Sequence, residues 1–399
     1  MGAKVFGVLG NRDYRLIFLS QLCMLTATGL AAIGFYLAAF AVSGWNSGAV
    51  VGISIAARTV VSHFGGALAL SAVRRLPFRL SFILSGAALV IPATLTLVVA
   101  SAWQIVVALF LLEVASTAFG AAFRGAALST LRSDADRKHS ANLVSLATNL
   151  EPAVTPLVAL LLLGIAGAEA LMIGSSAAVL ASMILVLFAG LPNSMSYPPS
   201  KGSVVGLRAW PGLIRGRSFR GMIALNIVFA AAASMVLVNT PVFAMAAFGR
   251  SGEAVAIALA VFGFGSIAGI VLAPQMAARI PGTAVALFGA ALVSSGLFIG
   301  SIVDAFGGLL VLWFALGVGC SLAQVPIGQF IELSNGVEDR ALLRKARITM
   351  LGLFWIVLGP ITGLLGSGTN LSFTFAVLGM LACMATFAAA GALRLPKVQ

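Results

Sequence analysis

NRDYR at residues 11–15 and GRSFR at residues 216–220 each stand immediately before a long apolar run. Both read arginine, any residue, an aromatic, arginine: Arg12, Tyr14 and Arg15 in the first, Arg217, Phe219 and Arg220 in the second. Arg12 and Arg217 are 205 residues apart, and nearly the same spacing recurs along the chain. Gly65 and Gly269, Arg75 and Arg279, Pro77 and Pro281, and Pro156 and Pro360 are each separated by 204, while Asp136-Arg137 returns as Asp339-Arg340 after 203. A constant offset over landmarks of different kinds indicates an internal duplication. The expected organisation is two halves, residues 1–191 and 219–399, tethered by a linker over 192–218 that carries Pro192, Pro198, Pro199 and Pro211 among basic residues. Trp210 in that linker suits a short interfacial turn.

Composition says what the halves are made of. The 399 residues are 60% hydrophobic and 9% charged, where soluble domains carry about 25% charged residues. Twelve apolar runs lie near 16–42, 48–70, 78–100, 102–126, 140–165, 168–191, 221–247, 253–277, 283–303, 306–331, 346–366 and 369–393. Each is close to the length of about 20 residues that a helix needs to cross the hydrocarbon layer. Backbone polar groups in lipid must be satisfied within their own segment, and runs this long are not barrel strands. The fold class is therefore an all-α membrane protein, with twelve transmembrane helices in two pseudo-symmetric six-helix bundles. The first run exceeds a signal-peptide core in length and is read as a retained helix.

A net charge of +13 is topological here. With twelve passes, 21 of the 24 Lys and Arg fall at the N-terminus, the even-numbered connections or the C-terminus; Arg250 lies opposite, and Arg58 and Arg124 fall inside spans. This asymmetry predicts a cytoplasmic (inner) membrane protein with both termini in the cytoplasm, and makes nucleic-acid binding the weaker reading. Cys23, Cys320 and Cys383 have no pairing or metal spacing, and His63 and His139 are far apart. No metal or cofactor is expected.

The start NRDYRLIFLSQ and the loop GALALSAVRR at 66–75 resemble the major facilitator superfamily, and within it the macrolide-efflux and siderophore-exporter permeases. The family's loop signature is Gly, any, Leu, Ala, Asp, Arg, any, Gly, Arg, Arg. Gly66, Leu68, Ala69, Arg74 and Arg75 match it, whereas Leu70, Ser71 and Val73 replace Asp, Arg and Gly. The resemblance implies a latching carboxylate at position 70, and leucine accepts no hydrogen bond. The fifth-span antiporter signature is reduced to EPAVTPLVALLLLG at 151–164, keeping Pro156 but few glycines. The resemblance implies alternating access between two halves, with gating loops that include Gly66, Arg74, Arg75, Arg137 and Arg340.

An ionised group inside the hydrocarbon costs about 2.5–3.5 kcal/mol on insertion scales, which makes it a functional candidate. Arg58, Glu113 and Glu151 lie near mid-span and are the proton-coupling candidates; an ion pair that merely ties the first half together is the competing reading. Glu113, Ser116, Thr117, Gly120 and Arg124 follow helical spacing and form one polar stripe. Adding 204 carries that stripe to Gly317, Ser321, Gln324 and Gly328 of the tenth span, which would line a wet pathway or, being small, serve close helix packing. Substrate-cavity candidates are Gln21, Tyr36, Ser116, Thr117, Arg124, Asn149, Asn239, Phe243, Ser321, Gln324 and Trp355, with Gln329 and Phe264 softer additions.

No phosphate-cradling Gly-Lys-Ser/Thr loop is present, so direct driving by ATP without a partner subunit is not expected, nor is enzyme activity. The expected function is a secondary transporter, monomeric in the lipid bilayer, that exports a small amphiphilic molecule (a drug-like compound, siderophore or metabolite) by proton antiport. The rivals are an uptake permease or facilitator for a metabolite, a non-transporting membrane receptor or scaffold, and, remotely, a lipid scramblase.

Overall fold

The structure, a computed structural model, describes residues 7–73, 75–95, 101–131, 133–191, 216–332, 337–367 and 371–393; these are almost entirely helical, with no strand among them. The linker through residue 215, Arg74, and the side chains of Leu70 and Gln329 lie outside the described residues. In chain order the helices are α1 (Arg12–Ser43), α2 (Ser47–Val60), α3 (Gly66–Val73), α4 (Phe78–Leu95), α5 (Ala102–Thr130), α6 (Asp134–Ala166) and α7 (Glu169–Phe188). After the linker come α8 (Arg217–Pro241), α9 (Gly252–Ala277), α10 (Gly282–Gly300), α11 (Phe306–Glu332), α12 (Val337–Gly366) and α13 (Leu371–Ala392).

Among the described residues ten stretches are long and apolar enough to cross a membrane. The first, Arg12–Gly65, has 54 residues. At helical rise that is about 80 Å, against a hydrocarbon layer of about 30 Å, so it makes two passes. The break is the 3-10 turn Gly44–Asn46, where Gly44 takes φ +53°, a conformation that glycine adopts without steric cost. α2 continues through the π-turn Val61–Gly65 into α3. With the shorter apolar α4, the crossing segments number about twelve.

Two helices begin six or more residues ahead of their apolar runs. α6 starts at Asp134 and α12 at Val337, where the runs begin near 140 and 346. The Ser133 hydroxyl accepts from the Ala135 N–H at 3.1 Å, and Asp134 and Asp136 oppose the positive end of the helix dipole, so polar residues are drawn into the first turns of α6.

The chain forms two compact units, Met1–Val42 with Val60–Ser203, and Ser43–Thr59 with Val204–Gln399. Residues 43–59, from the first half of the sequence, thus belong with the second. The cause is a glycine seam. A Cβ on Gly52 would run into the Gly359 carbonyl oxygen and stand 2.8 Å from the Gly359 carbonyl carbon, and one on Gly363 would meet the Gly48 carbonyl. Glycines four apart on α2 and α12 therefore lie backbone to backbone, the close approach that small residues permit in membranes.

In the first unit α1 is held by hydroxyl contacts. The Tyr14 hydroxyl donates to Ser140 Oγ of α6 at 2.8 Å, Ser20 Oγ and Ser182 Oγ of α7 are 2.8 Å apart, and Ser175 Oγ donates to the Ala27 carbonyl. The Gly190 N–H donates to Asp13 Oδ1 at 2.9 Å. Tyr14 and its repeat counterpart Phe219 are both buried while Arg12, Arg15, Arg217 and Arg220 are exposed, so the duplicated motif plants an aromatic in each unit and leaves its arginines outside. In the second unit α8 is the most buried crossing segment. Trp313 Nε1 donates to Thr240 Oγ1 at 2.9 Å, and the Ser234 and Thr362 hydroxyls are 3.0 Å apart.

Gly52→Ala is expected to lower the melting temperature in detergent, because overpacking of a tight contact costs about 1–3 kcal/mol. Gly164→Ala, at a helical site with open space, gains about 1 kcal/mol of helix propensity and should melt at or above the native temperature. Equal melting of the two variants would dissolve the seam. For Tyr14→Phe combined with Ser140→Ala, a double-mutant cycle should give a coupling of about 0.6 kcal/mol; additive effects would show that the 2.8 Å contact does not hold α1.

Candidate functional site

α5 is anchored at both ends. The Ser101 N–H donates to Gln104 Oε1 at 3.0 Å ahead of its first turn. At its far end Arg137 donates from Nε to the Leu131 carbonyl and from Nη2 to the Leu128 carbonyl, while Nη1 lies 3.2 Å from Asp134 Oδ1. Arg137 thus caps the last carbonyls of α5, a role that fits a cation at a helix C-terminus.

Between these anchors α5 has three faces about 120° apart at 3.6 residues per turn. Ile105, Ala108, Leu112, Ala115, Phe119 and Ala122 are buried in the first unit. Trp103, Val107, Phe110, Leu111 and Val114 form an exposed apolar face, as a lipid-contacting surface requires. The third face carries Glu113, Ser116, Thr117 and Gly120, all half-buried, and Arg124, which is exposed. The polar stripe therefore faces neither the core of its unit nor the apolar surface. Among the described residues Arg124 meets neither a carboxylate nor a hydrogen-bond acceptor; its Nη1 would be 3.6 Å from a Cβ on Gly120.

The other first-half candidates are dispersed. Glu151 is half-buried on α6, with Oε1 2.6 Å from where a Cβ on Gly29 would stand, so Gly29 of α1 makes room for the carboxylate. Arg58 sits in the last turn of α2, just before the π-turn. Arg58, Glu113 and Glu151 all have partners. Gln21 has a buried Oε1 with no hydrogen-bond partner. Tyr36 is buried, and Asn149 is exposed on α6. Gly66 opens α3 and Arg75 is exposed just after it. A polar cleft of about 510 Å³ opens at the ends of α1, α5 and α7, among Asn11, Asp13, Ser129, Thr130, Asp136 and Gly190.

In the second unit the tenth-span stripe divides. Gly317 meets the Phe262 carbonyl and the Ser266 N–H of α9, and Ser321 Cβ would stand 2.6 Å from a Cβ on Gly269. These two positions serve close packing of α9 on α11. Below them the stripe is polar: Gln324 Nε2 donates to Asn226 Oδ1 at 3.1 Å and to the Leu225 carbonyl at 3.3 Å, and Arg347 Nη2 donates to Gln324 Oε1 at 2.8 Å. Asn226, Gln324 and Arg347 thus form a chain across α8, α11 and α12. Sequence reading picked out Gln324 alone. The repeat held a signal for Asn226, which is Gln21 plus 205, but Arg347 was counted with the loop charges because the eleventh run was expected to start at 346.

The remaining second-half candidates are packed or peripheral. Asn239 is fully buried, donating from Nδ2 to the Thr362 carbonyl at 3.4 Å, with Oδ1 unbonded against Gly48 and Gly366. Phe243 lies in an aromatic cluster, 5.8 Å from Trp313 and 5.4 Å from Phe375 between ring centroids. Trp355 and Arg340 are half-buried on α12, and Phe264 is exposed on α9. Among the described residues no three metal-ligating side chains come together.

The fold has close counterparts among solved proteins. A bacterial homologue of the human lysosomal transporter Spinster superposes with a TM-score of 0.74 at 13% identity, covering 96% of this chain and 97% of that one. The D323A mutant of the nucleoside transporter NupG gives 0.72 at 16% identity, over 96% of this chain and 100% of that one. A POT family transporter in complex with 5-aminolevulinic acid gives 0.70 at 14% identity, over 94% and 95%. No curated protein matches the chain in sequence. The family model of the Major Facilitator Superfamily matches residues 16–343, most of the sequence. About twelve crossing helices and that match agree, and the chain belongs to the major facilitator superfamily.

Proposed function

We propose that this transporter-fold protein exports a small amphiphilic molecule by alternating access, in exchange for protons. One observation carries the reading: Glu113 stands mid-way along the buried length of α5, on a polar face that its own unit leaves open. A carboxylate there is costly in hydrocarbon, and a face with hydroxyls at Ser116 and Thr117 and a glycine at 120 gives it water and room. Protonation of Glu113 removes that cost, so proton binding and cargo binding can bias the same two-state equilibrium in opposite directions. Glu151, against Gly29, is the second coupling candidate, and Arg58, in the last turn of α2, the third. The NRDYRLIFLSQ start and the partly matching loop at 66–75 support placement near the macrolide-efflux and siderophore-exporter permeases, hence outward transport. The basic excess on one side of the threaded chain supports an inner-membrane location with cytoplasmic termini.

Purified protein in liposomes with an imposed proton gradient should move dansyl-labelled undecyl amphiphiles and dissipate the gradient as it does so. Glu113→Gln should abolish cargo-driven proton flux while leaving the protein folded; unchanged coupling in that variant would remove Glu113 from the proton role. Flux driven in the opposite direction would make the protein an uptake permease. For orientation, a green fluorescent protein fused after the C-terminus should fluoresce and alkaline phosphatase fused at Arg250 should be active; the reverse pattern would invert the topology.

A further inference from the structure

The Asn226–Gln324–Arg347 chain has a feature that helix packing does not require. Arg347 lies inside the crossing stretch Leu342–Gly366, five residues from its start, about 7 Å along the helix. Its hydrogen bonds both come from Nη2, to Gln324 Oε1 at 2.8 Å and to the Gln324 carbonyl at 3.5 Å. A guanidinium has five N–H donors in one plane, so the three on Nε and Nη1 are left over. Among the described residues no carboxylate meets them. A neutral amide orients a cation but supplies no countercharge.

The orientation is built rather than incidental. Asn226 is only 1% exposed, and its Oδ1 together with the Leu225 carbonyl takes both Gln324 Nε2 bonds. That fixes which way the Gln324 amide faces and aims Oε1 at Arg347. Arg347 itself remains half-buried and so reachable. A held guanidinium with unused donors on Nε and Nη1 can give charge-assisted hydrogen bonds to the oxygens of a carboxylate or phosphate. In the other unit Arg124 is also a span arginine with no carboxylate among the described residues. Each unit therefore brings an uncompensated cation into the membrane span, whereas Glu113 and Glu151 both have partners.

We infer that the unused Nε and Nη1 donors of Arg347, set by Gln324 and Asn226, bind the anionic head group, carboxylate or phosphate, of an amphiphile. This rests on the transport reading only in taking that amphiphile as cargo; the anion site itself stands independently of it.

The test uses the full-length protein in nanodiscs of phosphatidylcholine, with three probes on one skeleton: dansyl-undecanoate, its amide and dansyl-undecylamine. Native protein should bind the acid in preference to the amide and the amine. Arg347→Gln should weaken acid binding about 10- to 100-fold, the range for loss of hydrogen bonds to a charged group, and leave amide binding unchanged. Arg347→Lys keeps the charge without the fork and should fall between, which guards against a merely misfolded glutamine variant; a melting curve checks each. Gln324→Leu should weaken acid binding as well, by releasing the guanidinium. Equal acid binding by native, Arg347→Gln and Arg347→Lys proteins overturns the proposal, as does preference for the amine.

Adding phosphatidylglycerol distinguishes the source. Arg347-dependent competition assigns the anion to a lipid head group, and its absence assigns it to cargo; both outcomes support the anion site. If the acid binds through Arg347 but does not cross proteoliposomes, the anion site stands and the transport reading fails. If the amine is transported and the acid neither binds nor moves, transport stands and the anion site fails.

Discussion

Lipid offers no hydrophobic drive for one helix to join another, so every join in this chain rests on close approach or on a hydrogen bond. The Gly48 and Gly52 seam against Gly363 and Gly359 is the strongest expression of that constraint. It decides that residues 43–59 belong to the second unit although they come from the first half of the sequence. The same constraint recurs where Gly317 meets the α9 backbone and where Gly289 meets Gly319 and Ala323. Elsewhere hydroxyl pairs take over, as with Tyr14 and Ser140, Ser20 and Ser182, and Ser234 and Thr362. Interhelical polar bonds of this kind contribute about 0.6 kcal/mol each on average, so the units hold by many modest contacts.

A chain assembled in this way has little room for charge, and where charge occurs its position is informative. On α5 the ionisable and hydroxylic side chains fall on the single face that packing and the apolar surface leave over. On α11 the equivalent positions are partly consumed by packing on α9, and polarity reappears only at Gln324. The two units thus differ: the first keeps a carboxylate on the open face of α5, the second a guanidinium held through amides. In the proposed function the first handles protons and the second binds an anion.

Much of this was legible in the sequence. Apolar run length gave the crossing helices, and the aromatic of each basic motif is buried; the repeated landmarks led one to expect a division at the linker, whereas residues 43–59 group with the second unit. The polar stripe of α5 follows from helical spacing alone; burial supplies its other two faces. The seam was not legible, because the chain has 44 glycines and spacing does not say which of them meet a backbone. Arg347 was hidden for a different reason: a basic residue beside an apolar run reads as a loop charge until the helix is seen to start nine residues earlier, at Val337. Phe243 was read by residue type, and the ring turns out to fill an aromatic cluster with Trp313 and Phe375. Arg137 was assigned by family likeness to a gating loop, whereas its bonds cap α5.

The central claim is that one face of α5 is wet while its neighbour faces lipid. Single cysteines placed along α5, in a protein whose Cys23, Cys320 and Cys383 are serine, would be tested in membranes with a charged, membrane-impermeant thiol reagent. The account predicts that cysteines at positions 113, 116, 117 and 120 react, and that those at 110, 111 and 114 do not. Reaction confined to positions 110, 111 and 114, or absent from all seven, would contradict it.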